Sequence, residues 1–180
     1  MKKAYIFLAN GHEEVEALMV VDLLRRAGLT IETVSITGDK MVTSSHNVTY
    51  VADRLFEEVE GDLVDLVILP GGLPGTTNLL AFEPLMKMVC AHHEAGKLVA
   101  AICAAPSVLA ELGILDGKKG TSYPGFGTKI ENFVDAPVVV DGNVVTSRGL
   151  GAAIDFGLAL IELLVDEEKA KTVAAAIQYR

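Results

Sequence analysis

Apolar and polar positions along the chain divide it into short runs with two different periods. Residues 3–9, KAYIFLA, are continuously apolar, as are the cores of 64–69, VDLVIL, and 97–102, KLVAAI. Apolar runs of that length, bounded by turn residues, predict strands buried on both faces. Residues 30–36, TIETVSI, alternate and predict a further strand. Residues 13–28, EEVEALMVVDLLRRAG, repeat at helical spacing instead. There Val15, Leu18, Met19, Leu23 and Leu24 fall on one stripe, and Gly28 supplies the stop. The spacing predicts further helices over 83–96, with Pro84 in the first turn, over 105–112, and over 149–165 and 166–180. VVVDGNVVTS at 138–147 sets two β-branched runs on either side of Asp141-Gly142-Asn143 and predicts a hairpin. The polar segment 37–53 carries two short strand-like pieces, Met41–Thr43 and Val48–Val51.

Buried strands alternating with helices predict an α/β fold with a mainly parallel sheet covered on both faces. No repeat or linker interrupts residues 1–180, so one domain is expected. In such a fold the functional crevice lies beyond the carboxyl ends of the strands. Three segments with usable chemistry sit just past strand ends: NGHEEVE at 10–16, PGG at 70–72 and CAAP at 103–106.

Composition narrows the function. A chain of 180 residues with 51% hydrophobic and 22% charged residues is globular in type. A net charge of −9 argues against nucleic-acid binding, because no Lys/Arg excess exists to displace counterions. No apolar run reaches the roughly 18–20 residues that span a bilayer. The N-terminal apolar stretch runs straight into acidic residues instead of a small-residue cleavage site, which predicts a first strand and not a signal peptide. Cys90 and Cys103 have neither disulfide-framework nor zinc spacing, and a reducing, cytoplasmic location is expected. LPGGLPGTTN lacks the Lys-Ser/Thr of a phosphate-binding loop and the spacing of a dinucleotide fingerprint, so no cofactor and no metal is expected.

Cys103 is the candidate nucleophile. It sits between a buried strand and a helix start, flanked by small residues Ala101, Ala104 and Ala105 that permit a sharp turn of nucleophile-elbow type. Free amides at a helix start favour a thiolate. Local sequence alone equally allows an inert cysteine packed in the core. Glu16 borders the apolar stripe of its helix, where a carboxyl tends to stay protonated and suits general acid–base work. Glu13 and Glu14 also fit as plain first-turn acids. Gly71 and Gly72 offer exposed amides of oxyanion-hole type, or simply a tight turn. The SRGLG stretch at 147–151 reads as a close-packed helix start. His92 and His93 read as solvated cations at a helix end, Cys90 as a packing residue, and His12 and His46 as loop residues with no assignable thiol partner.

Together GHEEVEAL, DLLRRAG, LVILPGG, VAAICAAP and TSRGLGAAIDFGLALIELL resemble the ThiJ/PfpI superfamily, in the branch of the Parkinsonism-associated (DJ-one) deglycase and its bacterial relatives. The resemblance spans essentially the whole chain. It implies a flavodoxin-like three-layer α/β/α sandwich related to class I glutamine amidotransferases, and a homodimer. It places the reactive cysteine at Cys103, its partner glutamate at Glu16 and the oxyanion-hole amides at Gly72 and Ala104. The implied activity is cysteine-dependent conversion of small dicarbonyls to hydroxy acids, of glyoxalase or deglycase type. The alternative is oxidative-stress sensing through oxidation of the same cysteine. Two positions depart from the family pattern: Tyr123 replaces a histidine near the cysteine, and His46 replaces an arginine. Ala104 replaces the histidine that follows the cysteine in protease-like members, which leaves amidase or protease activity a remote reading.

Overall fold

The computed structural model describes residues 2–180. In chain order it contains β1 (Lys3–Leu8), α1 (Glu14–Arg26), β2 (Thr30–Ser35), β3 (Met41–Thr43), β4 (Thr49–Val51), β5 (Arg54–Leu55), β6 (Leu66–Leu69), α2 (Gly75–Ala81), α3 (Glu83–Glu94), β7 (Leu98–Ile102), α4 (Pro106–Glu111), β8 (Lys119–Gly120), β9 (Asn132–Phe133), β10 (Val138–Asp141), β11 (Val144–Ser147), α5 (Ala153–Leu164) and α6 (Glu167–Ala176). The main sheet has the order β10-β11-β7-β6-β1-β2-β5. All its pairs are parallel except the β10–β11 hairpin at one edge.

Burial explains the continuous apolar runs. Along β1, Ala4, Ile6 and Leu8 face one core, together with α1, α5 and α6. Tyr5 and Phe7 face the other, which holds side chains of α2, α3 and α4. The result is a three-layer α/β/α sandwich. Helix α1 begins with Glu13, whose carboxylate accepts from the Glu16 amide at 2.7 Å. It ends in a Schellman turn: Gly28 N–H donates to Arg25 O at 3.0 Å and Leu29 N–H to Leu24 O at 3.0 Å.

The structure moves several sequence expectations. Helix α1 buries Glu16, Ala17, Val20, Val21, Leu23 and Leu24, while Val15 and Leu18 are exposed. The apolar stripe is therefore wider than the buried face, and its N-terminal part looks outward. Residues 75–81 form a helix, α2, in a segment read as a glycine-rich turn. His92, expected to be a solvated cation, is fully buried. Its Nδ1–H donates to Met88 O at 2.8 Å and its Nε2 accepts from Val64 N–H at 3.1 Å. His12 is equally buried, with Nδ1 on Ala9 O at 2.7 Å and Nε2 on the Tyr50 hydroxyl. In each ring the neutral Nδ1–H form satisfies both partners.

Burial lowers both histidines below their ordinary value, whereas the unfolded chain protonates them normally. At these two sites the unfolded state therefore binds more protons below about pH 6.5, and their contribution to folding stability falls as pH drops through that region. Urea unfolding at pH 7.5, 6.5 and 5.5 should show the midpoint falling, with each histidine contributing at most about 1.4 kcal/mol per pH unit. His92→Gln should flatten the slope. The raised Glu16 works in the opposite sense and is common to both proteins, so an identical slope in wild type and His92→Gln would show that this ring is not held neutral.

Candidate active site

Three strand ends meet where the strand order reverses, between β1 and β6, with β7 alongside. The loop after β1 docks on the loop after β6: Glu13 N–H donates to Gly71 O at 2.9 Å and Gly75 N–H to Gly11 O at 3.1 Å. The backbones approach so closely that two glycines are obligatory. A Cβ built on Gly71 would lie 2.6 Å from both Cys103 Cβ and Glu16 Oε2. Gly72 has φ +88°, and a Cβ there would lie 2.4 Å from the Glu13 amide nitrogen.

Cys103 ends β7 with φ +66°, in the left-handed region that side chains other than glycine, asparagine and aspartate rarely occupy. Two hydrogen bonds hold it there. Its N–H donates to Ser147 O at 2.9 Å, at the end of β11, and its carbonyl accepts from Tyr123 N–H at 2.7 Å. That conformation turns the half-buried thiol toward Glu16, with which it shares a hydrogen bond. The amides of Gly72 and Ala104 also reach the sulfur. Glu16 is 1% exposed. Its carboxylate accepts from Gly71 N–H at 2.9 Å and from the Leu150 amide.

Two acidic groups thus share one enclosed space. Burial pushes Glu16 up to about 7. Burial, then the adjoining Glu16 carboxylate, pushes the Cys103 thiol up to about 12. The sequence expectation of a thiol simply favoured as thiolate by a helix start is corrected here. Cys103 lies three residues before α4, and desolvation and Glu16 outweigh the amides. Between those two values the pair holds a single proton and a single negative charge. The Gly71 and Leu150 amides favour placing the charge on oxygen, and the Gly72 and Ala104 amides favour sulfur.

The other sequence candidates separate. Tyr123 stands beside the site: a Cβ on Gly149 would lie 3.5 Å from its ring and 4.0 Å from Cys103 Sγ. His46 is grouped elsewhere, its exposed ring hydrogen-bonding Glu14 at 3.1 Å. Among the described residues Glu13, Glu14 and His46 form one cluster with metal-ligand spacing, but Glu13 caps α1 and Glu14 holds His46. Cys90 is half-buried on α3, packed against the core as expected. Sequence reasoning missed the Leu150 amide and a cleft of about 850 Å³ lined by residues that include Tyr123, Phe133, Arg148, Gly149 and Leu150. Cys103 does not itself line that cleft, which reaches it through Tyr123 and Gly149. The only signal was SRGLG, whose first glycine, Gly149, brings backbone close to the thiol.

A family model described as the DJ-1/PfpI family matches residues 2–163. The chain is 39% identical to protein DJ-1 homolog B of Arabidopsis thaliana over 99% of its length, which is 42% of that longer protein. It is 35% identical to a deglycase of Pyrococcus abyssi over 90% of this chain and 99% of that one. The solved structure of oxidised Toxoplasma gondii DJ-1 superposes with a TM-score of 0.97 at 37% identity, covering 99% of each chain.

The shared proton has a measurable consequence. The alkylation rate of Cys103 by iodoacetamide should rise with pH through a transition near 7, where the pair loses its first proton. In Glu16→Gln the thiol must ionise alone against its burial, so the midpoint should move upward by about one unit or more. An unchanged midpoint would show that the two groups titrate independently.

Proposed function

Taking as premise that the chain belongs to the DJ-1/PfpI family, we propose that it converts small reactive dicarbonyls to hydroxy acids, with Cys103 as nucleophile and no cofactor. One observation carries this reading: a thiol and a carboxyl joined by a hydrogen bond, with two backbone amides aimed at the same sulfur. The Pyrococcus relative named as a deglycase supports it.

The steps follow from the placement. With the shared proton on Glu16, Cys103 Sγ adds to the aldehyde carbon, and the carbonyl π pair moves to oxygen beside the Gly72 and Ala104 amides. Glu16 delivers its proton to that oxygen, giving a hemithioacetal. The Glu16 carboxylate then removes the carbon-bound proton and returns it to the neighbouring carbon, while the hydroxyl proton of the hemithioacetal passes to the neighbouring oxygen. The adduct becomes a thioester of the hydroxy acid with no external oxidant. Water cleaves the carbon–sulfur bond, releasing the acid and restoring the thiol. Tyr123, where relatives carry histidine, leaves Glu16 as the acid–base group of this chain.

We further propose that the protein works as a homodimer. Val15 and Leu18 on α1 are exposed beside the β3–β4 hairpin, which exposes Met41, Val48 and Val51. The hairpin is tied to the start of α1 by Gly11 N–H to Thr43 O and Ser45 N–H to His12 O, both 2.8 Å. That apolar face suits a second copy.

Methylglyoxal turnover, followed as lactate, should be abolished in Cys103→Ala and reduced by about 10²–10⁴-fold in Glu16→Gln. Equal turnover by wild type and Cys103→Ala would sink the reading. Light scattering should give twice the chain mass for the wild type and one chain mass for the double variant Leu18→Glu with Val51→Glu. A monomeric wild type would exclude the dimer.

A further inference from the structure

The cleft beside Cys103 is too large for a three-carbon dicarbonyl. At about 850 Å³ it lies in the range that encloses whole drug-sized ligands. Its walls are mostly apolar or small: Tyr123, Pro124, Phe133, Leu150, glycines and Ala152. Two of its lining residues carry charge, Arg148 and Asp135.

These two differ in how they are held. Arg148 is anchored through its backbone, its N–H donating to Pro137 O at 3.3 Å, and the next residue is Gly149, which abuts the Cys103 sulfur. The Arg148 guanidinium touches Asp135 at only 3.4 Å, with side-chain exposures of 51% and 84%. A long, solvated pair of that kind is worth little. Arg148 is therefore available to another carboxylate, which its planar fork can grip with two hydrogen bonds. Asp135, the more exposed of the two, is the weaker presence in the cleft.

The reactive end sets the orientation. The Cys103–Glu16 pair carries one negative charge once its first proton has left, so an anionic group next to the sulfur is repelled. A cation one residue from Gly149, at the cleft wall, attracts it. An aldehyde at one end and a carboxylate several bonds away satisfy both. We propose that this cleft selects aldehydes bearing a remote carboxylate, and that Arg148 is the residue that selects them. The inference rests on the reading of Cys103 as the reactive group and adds the substrate class.

The test uses Cys103 labelling, which needs no turnover. Rates are measured with N-ethylmaleimide and with 3-maleimidopropionate, a probe of similar size carrying a carboxylate away from its reactive carbon. The ratio of the charged to the neutral rate cancels any general change in thiol reactivity. At low ionic strength Arg148→Gln should lower that ratio about fivefold, and Asp135→Asn should raise it. Added salt should shrink both effects. As a second readout, 4,5-dioxopentanoate should be turned over with a lower KM than methylglyoxal, and the advantage should vanish in Arg148→Gln. A ratio that neither substitution moves overturns the charge selection. A ratio that responds while Cys103→Ala still turns over methylglyoxal overturns the catalytic reading and leaves the selective cleft standing.

Discussion

One residue holds the site together. Gly71 donates its N–H to the Glu16 carboxylate and offers its carbonyl to the Glu13 amide, so this one glycine fixes both the start of α1 and the carboxyl that faces Cys103. The same residue has no side chain because Cys103 Cβ and Glu16 Oε2 occupy the space one would need. This contact between the loops after β1 and β6 sets where the Glu16 carboxylate stands against Cys103. If those loops moved apart by the width of a methyl group, the thiol and the carboxyl would no longer share a proton.

The electrostatics show the same economy. Two acids in one buried space cost about as much as one, because the second proton never leaves under ordinary conditions. Four backbone amides divide between the two acceptors, two to each, and each pair favours the charged form of the group it faces. His46, which the resemblance sets where relatives carry an arginine, is turned toward Glu14 and not toward this pair.

Strand positions were legible in the sequence because buried parallel strands leave unbroken apolar runs, as in LVIL of β6 and LVAAI of β7. Their convergence on one crevice followed from topology. The resemblance then singled out Cys103, Glu16, Gly72 and Ala104, which the structure brings into one cluster. What was not legible depended on contacts between distant segments. The partner of His92 Nε2 is the Val64 amide, 28 residues earlier, and no local periodicity records it. The outward face of Val15 and Leu18 is invisible to a pattern that counts apolar residues without knowing what they meet. The rise in the Cys103 pKa was missed because local reasoning saw the nearby amides but could not weigh the carboxylate arriving from α1.

The two hydrogen bonds that bracket Cys103 come from Ser147, 44 residues downstream, and from Tyr123, while its acid comes from α1. Its chemistry is therefore a property of the assembled chain and of no segment within it. When the fold is lost, the sulfur reverts to a common cysteine, with its proton at the usual strength and its neighbours dispersed. Reactivity at this one atom thus reports on the integrity of the whole molecule. A heat-damaged or aged copy would lose the distinctive titration of this thiol before it lost a single covalent bond, and a thiol-directed dye would tell the two populations apart.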